Sequence, residues 1–312
     1  MKVLHRKHKA GARHCERSNL KHSDYFFCYT KDCHDPSGLA MTMLRSFVSS
    51  RVLLAVLLIV LICLFMLLTM PHPHRLALDE KQKSQLHFTI MSLNFFRVDL
   101  DSYPPSEAVD PSGQPYCGAM KLCEAMMGQD LLGFHPDSVF RSDGMDATNT
   151  KKLYTSEPNN LKARRGPYLP LEITKVYRLK DIYEDVGPFD GNNYVICGVY
   201  TKKRHSGKKT GMPILYYKAD TSKTAHDINQ PDNPENIFNY KDNNNLLSLG
   251  VPGKPNKKHP LFTNPKIFYE ITKKWIATTI NKTNQEDSFI LLSAGKDGLY
   301  GTSDDIANFN MY

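Results

Sequence analysis

The run from Val52 to Met70, VLLAVLLIVLICLFMLLTM, limits what this chain can fold into more than any other feature. Of its 19 residues only Thr69 is polar, and roughly 20 apolar residues are what a helix needs to cross a bilayer core of about 30 Å. A helix satisfies its own backbone hydrogen bonds, so one such segment can stand alone in hydrocarbon. The run therefore predicts a transmembrane helix over 52–70. A buried core helix rarely keeps so long a stretch free of polarity. A cleavable signal has a shorter apolar core of about 7–15 residues near the N-terminus, closed by small residues, whereas Met70, Pro71 and His72 follow here.

Charge is distributed to match. The 312 residues carry a formal +8. Residues 1–51 hold ten Lys or Arg against four acids, a net of +6, so residues 52–312 carry only +2. A near-neutral body argues against a phosphate-binding groove and hence against nucleic acid as a partner. Arg45 and Arg51 precede the apolar run and only Arg75 closely follows it; positive flanks stay on the cytoplasmic side. The expected organisation is a basic, disordered cytoplasmic segment over 1–51, a single span of the inner membrane over 52–70, and an exported domain over 71–312 in the periplasm or another extracytoplasmic space. The lipid bilayer is the first expected partner.

Cys117, Cys123 and Cys197 would then lie outside, an odd number that leaves at least one thiol unpaired and no dense disulfide framework. Cys15, Cys28 and Cys33, with His14 and His34, offer zinc-type ligands at short, irregular spacing. Initiation at Met41 or Met43 would leave only a short basic flank before the apolar run.

Beyond Pro73, Leu86, Ile90, Leu93 and Phe96 recur at helical spacing and predict a long amphipathic helix. It should stop near Tyr103, Pro104 and Pro105, since proline restricts the preceding residue and lacks an amide donor. A second helix is expected over Ala119–Met127, ended by Gly128. Residues 136–190 read as loops with short strands, Leu171–Val176 among them. Tyr194–Tyr200, Pro213–Lys218 and Ser288–Ser293, rich in aliphatic and aromatic residues between turn signals, predict strands of an antiparallel sheet. A polar stretch over 227–258 separates the last two, followed by a helix over Pro265–Ile280 with Trp275 as a core anchor.

The tail, Ser293 to Ile306 (SAGKDGLYGTSDDI), carries the sharpest chemistry. Asp297, Asp304 and Asp305 fall within nine residues, and Gly295, Gly298 and Gly301 let the backbone curl its carbonyls inward. Calcium takes about six to eight oxygens in flexible geometry, which suits such a loop better than magnesium or zinc. Adjacent aspartates repel one another unless something neutralises them. An exposed acidic turn with no ion is the alternative.

Taken together, Phe96 to Pro105 (FRVDLDSYPP) at the close of the amphipathic helix, Gly211 to Tyr217 (GMPILYY), Phe289 to Gly298 (FILLSAGKDG) and Asp304 to Ile306 (DDI) resemble the major pseudopilins of type II secretion and related prepilin-like proteins. The resemblance covers about half of the exported part. It implies an α+β, pilin-like fold: an N-terminal transmembrane helix continuing into a long amphipathic helix packed on a small antiparallel β-sheet. It further implies a structural subunit of a type II secretion or pilus-type assembly, with other pseudopilin or secretion-system subunits, copies of itself included, as partners. Calcium would be held by Asp297, Asp304 and Asp305, with the backbone carbonyls of Leu292 and Leu299 completing the shell. The phenylalanine after a processed glycine and the glutamate at the fifth position of the mature helix, usual in that family, have no counterpart here; the fifth residue counted from Phe47 is Arg51.

No HExxH, GxSxG or GK[ST] phosphate loop occurs, so no catalytic residue is assigned and no enzyme is expected. Lys202 to Lys209 (KKRHSGKK) reads as a solvated basic loop or a contact for anionic lipid or cell-wall polymer. Two rival readings remain: a single-pass membrane enzyme using Asp304 and Asp305 to hold a metal-bound substrate, and an envelope interaction module.

Overall fold

The structure is a computed structural model that describes residues 38–69, 73–172, 174–254, 256–280 and 288–309. The chain divides into two units, 1–69 and 70–312.

The first unit contributes helix α1 (Gly38–Thr69), which carries the apolar run. Its described side chains, residues 50–66, are all exposed. Among the described residues no helix is long and apolar enough to cross a membrane. The transmembrane helix expected over 52–70 is corrected accordingly. Cys15, Cys28 and Cys33, with the zinc reading attached to them, lie outside the described residues, as does the side chain of Trp275.

The second unit opens with helix α2 (Pro73–Leu100). Gln82, Leu86, Thr89, Leu93 and Phe96 are buried, a spacing of four and three that makes one continuous inward stripe. The helix ends when Asp101 takes a left-handed conformation, φ 61°, two residues before the Tyr-Pro-Pro stop read from the sequence. Helix α3 (Gly118–Met127) is buried along its whole length and packs on α2. Short elements follow: α4 (Pro158–Ala163), β1 (Val176–Arg178), α5 (Leu179–Ile182), β2 (Tyr194–Ile196), β3 (Lys202–Lys203), β4 (Lys209–Thr210) and β5 (Leu215–Lys218). A 3₁₀ turn (Tyr240–Asn243) leads into α6 (Asn244–Ser248), then α7 (Pro260–Thr263), α8 (Lys266–Ile280), β6 (Phe289–Ser293) and β7 (Ile306–Ala307).

The fold is α+β, with small antiparallel sheets in place of the single sheet expected. β1 pairs with β2, β3 with β4, and β5, β6 and β7 form a three-stranded sheet in that order. The expected strand over Tyr194–Tyr200 stops at Ile196 because Gly198 lies backbone to backbone with Gly211, where a Cβ on Gly211 would stand 2.0 Å from the Gly198 carbonyl. One isolated bridge, Cys197 to Pro213, carries the line on toward β5. Leu171–Val176 is not a strand: the Thr174 amide turns back to the Pro170 carbonyl at 3.1 Å, and β1 starts only at Val176.

The core centres on the three-stranded sheet. β6 is buried at every residue and β5 at Leu215, Tyr216 and Tyr217, so both faces are covered. Cys117, Cys123 and Cys197 are buried free thiols; burial pushes the Cys117 thiol up to about 11.

Asn243, fully buried, joins three elements. Its Oδ1 accepts from the Ala119 amide at 2.9 Å and its Nδ2 donates to the Tyr216 carbonyl at 2.8 Å. The first satisfies an amide of the first turn of α3, which has no partner within the helix. Truncation strands a buried donor and a buried acceptor at once, each costing about 1–3 kcal/mol. Asn243→Ala should therefore lower the free energy of urea unfolding by about 2–4 kcal/mol, with Asn243→Asp, which keeps one acceptor, falling between.

Candidate cation loop

Residues 294–305 connect β6 to β7 at the edge of the three-stranded sheet. The ladder sets where the loop leaves: Leu292 faces Ala307 and Ser293 faces Ile306. Gly295 then lies so close to the returning chain that a Cβ would stand 1.9 Å from the Asp304 carbonyl oxygen and 2.7 Å from its carboxyl carbon. Gly298 and Gly301 supply left-handed turns at φ 79° and 89°. The glycines read from the sequence thus each have a geometric reason.

The three aspartates converge on the loop's own backbone. Asp297 Oδ1 accepts from the Leu299 amide at 2.7 Å. Asp304 Oδ2 accepts from the Asp297 amide at 3.0 Å and its Oδ1 from the Thr302 hydroxyl at 2.7 Å. Burial pushes the Asp304 carboxyl up, but the Thr302 hydroxyl and the amides of Asp297 and Lys296 outweigh it, leaving it below its ordinary value. Asp305, 6% exposed, uses only one oxygen: Oδ2 accepts from the Gly301 amide at 2.6 Å and from the Thr302 amide at 3.3 Å. Its Oδ1 is buried without a hydrogen-bond partner. Burial, with the charges of Asp304 and Asp297 adding to it, lifts this carboxyl to about 8 against the two amides that hold it down.

The two backbone ligands of the sequence reading fall differently. Leu291 exchanges both backbone bonds with Asn308, its amide donating to Oδ1 at 3.0 Å and its carbonyl accepting from the Asn308 amide at 3.2 Å. Successive residues of a strand point their backbone groups to opposite sides, so the Leu292 carbonyl is directed at β5 and away from the loop. The Leu299 carbonyl lies inside the turn, 3.4 Å from the Thr302 hydroxyl.

Neighbours that the sequence did not mark hold the loop in place. The Tyr300 hydroxyl donates to the Pro213 carbonyl and its carbonyl accepts from the Leu261 amide at 3.0 Å. His259, fully buried, accepts from the Tyr300 amide at Nδ1, 3.3 Å, and donates from Nε2 to the Gly250 carbonyl, 3.2 Å. Burial lowers this imidazole to about 4, so it is a neutral prop for the loop. The Lys202 ammonium donates to the Asp297 carbonyl at 2.8 Å.

Among the described residues no group of three or more His, Cys, Asp or Glu is arranged to hold a metal. Four of the six carboxylate oxygens are turned onto loop donors, and the Asp305 Oδ1 is buried with no hydrogen-bond partner. No family model, curated protein or solved structure matches this chain.

Gly295→Ala should cost about 3 kcal/mol of stability, the upper range for forced overpacking, because the obstructing atoms are backbone. The loss on Gly298→Ala, where nothing lies nearer than 3.5 Å to the added carbon, should be smaller and arise from φ alone. Thermal unfolding of the two variants side by side tests this order.

Proposed function

We propose that this chain is a non-catalytic, pseudopilin-like structural subunit of a type II secretion or pilus-type assembly, with a calcium-binding loop that fixes the end of the chain to its three-stranded sheet. The buried, unpartnered Asp305 Oδ1 carries the reading. The most buried carboxylate of this acidic loop keeps one oxygen without a partner, and leaving such an atom unsatisfied costs about 1–3 kcal/mol. Asp297, Asp304 and Asp305 would supply carboxylate oxygens and the Leu299 carbonyl a fourth; calcium, which tolerates irregular oxygen shells, suits this donor set. It would neutralise repulsion and close the loop, a structural service that needs no open coordination position.

Assembly is supported by helix α2. Opposite its buried stripe, Phe88, Met91, Phe95 and Val98 recur at spacings of three and four and are 43–77% exposed. A second apolar stripe on a helix already packed is a contact face for another subunit, and the chain's own copies are the simplest partner.

Calcium at about 100 times its dissociation constant adds about 2.7 kcal/mol to stability, or roughly 5–10 °C in Tm for a unit of this size; calorimetry in calcium and in excess chelator measures it, and coincident transitions would end the calcium reading. Metal-free protein has a further signature. With Asp305 raised from 3.8 to about 8, the folded state holds a proton that the unfolded chain releases, so the stability this group contributes is fully present below about pH 4 and is lost as pH rises toward 8. Asp242, raised by burial to about 7, contributes in the same direction, while His259 acts oppositely only below about 6.5. Between pH 7 and 8 the decline should be largely abolished by Asp305→Asn and by calcium in the parent. For assembly, Phe95→Asp should reduce self-crosslinking of the full chain about tenfold without lowering Tm, since the side chain is exposed in the single subunit.

A further inference from the structure

We infer that the β3–β4 hairpin is a docking surface for the phosphate groups of an anionic lipid layer. The hairpin is two residues per strand, with Lys202 facing Thr210 and Lys203 facing Lys209 across the ladder. Directly opposed residues share one face, with Cβ atoms about 4.5–5.5 Å apart, and like charges placed so destabilise the pair. Lys203 and Lys209 are exposed, and neither has an ion-pair partner among the described residues. The face carrying Lys202 and Thr210 is turned to the body of the unit: Thr210 is buried and the Lys202 ammonium reaches the Asp297 carbonyl. The opposed lysines therefore face outward.

The ribbon is held rigid beneath them. Arg204 is buried and donates from Nε to the Thr210 hydroxyl at 2.9 Å and from Nη2 to the Thr210 carbonyl at 3.1 Å, with the Met212 sulfur at 3.6 Å. All of these acceptors are neutral, so its charge adds to that of the outer lysines. At the turn, the Ser206 hydroxyl donates to the Asp181 carbonyl at 2.7 Å, and Lys208 pairs with the Asp181 carboxylate at 2.8 Å. Of the five cations between 202 and 209, Lys208 has an ion pair, with Asp181, and Asp297 and Asp304 act on Lys202. The tip is open, with nothing within 4 Å of a Cβ built on Gly207.

A phosphate oxyanion between Lys203 and Lys209 replaces their repulsion with two charge-assisted contacts. The convex ribbon has no walls to enclose a small anion, but a flat layer of phosphates meets both outer lysines and the tip at once. It is also too short to track a nucleic-acid backbone, and residues 71–312, at +2 with the five hairpin cations included, carry a net −3 outside the hairpin, which disfavours such a backbone.

The test is co-sedimentation of the full chain with phosphatidylcholine vesicles containing phosphatidylglycerol, against pure phosphatidylcholine. Any attachment through the exposed apolar side chains of α1 is common to both and cancels. Each lysine near an anionic surface is worth roughly fivefold in binding, so Lys203→Gln with Lys209→Gln should weaken the phosphatidylglycerol-dependent part about 25-fold. Lys203→Arg with Lys209→Arg should retain it, and added salt should weaken the parent. Unchanged binding by the glutamine pair, equal binding to both vesicles, salt-independent binding, displacement by inorganic phosphate at the same phosphate concentration, or preference for duplex DNA over the vesicles would each overturn the inference.

Discussion

The antiparallel pair of β5 and β6 is the constraint on which the rest of residues 70–312 depends. Four rungs, from Leu215 opposite Leu292 to Lys218 opposite Phe289, join two segments far apart in the chain. Such a pairing forms only after a long loop has been closed, and its entropic cost must be offset by burial that the two strands cannot achieve alone. They achieve it from both sides. α3 and the 3₁₀ turn pack against β5, the Tyr216 hydroxyl donates to the Pro104 carbonyl at 2.8 Å, and Tyr217 lies against Phe268 with ring centroids 4.7 Å apart. Because β7 pairs only with β6, the C-terminal loop has a fixed edge to hang from only while this ladder exists.

The interior holds polar groups as well as apolar ones, and those on α3 are hydrogen-bonded. Glu124 is buried and accepts from Tyr116 and Tyr154 hydroxyls at 2.7 Å, Ser138 at 2.6 Å and Gln129 at 3.2 Å. Lys121 donates to the carbonyls of Glu107 and Val109 at 2.8 and 2.9 Å. Ser106 bridges the Asp242 carboxylate and the Lys218 amide. A fully satisfied network of this sort specifies one packing and leaves little for a ligand to gain. Asp305 is as buried as these groups and keeps an oxygen unmatched; the Tyr217 hydroxyl, His135 Nε2, His226 Nδ1 and Asn244 Oδ1 are unmatched too. Of these atoms only the Asp305 oxygen belongs to a carboxylate, and it lies beside two further aspartates.

Much of this was legible in the sequence wherever one physical signal dominated. Helical spacing of apolar residues marked α2, α3 and α8 to within a few residues, and β-rich runs marked β5 and β6, because burial on a regular face leaves a periodic trace. Leu171–Val176 misled because its apolar residues alternate, yet the strand begins only at Val176, opposite Ile196, and Thr174 turns back to Pro170 before it. The apolar run at 52–70 gave a span on composition alone, while among the described residues no helix is long and apolar enough to cross a membrane. The three tail aspartates and their glycines were visible because they are close in sequence. Asn243, His259 and Lys202 were not, since each acts on residues 27 to 124 positions away, and nothing local distinguishes an asparagine that bridges two elements from one in a solvated loop. Leu292 was assigned to the loop by proximity in sequence, which carries no information about the direction of a strand carbonyl.

Lys202 ties the two electrostatic features of the surface together. Burial and the nearby charges of Lys254 and Arg204 push its ammonium down, while Asp297 and Asp304 pull it up. The same carboxylates that face the loop therefore hold in place the lysine at the base of the basic hairpin. Attraction between opposite charges at partly buried sites is screened far less than at open surface, so the balance is sensitive to what else enters the loop. A divalent cation among those aspartates would cancel their field at Lys202 while leaving its bond to the Asp297 carbonyl oxygen intact. The hairpin would then present its cations with less internal compensation, so the loop and the ribbon, separate in sequence, share one set of charges.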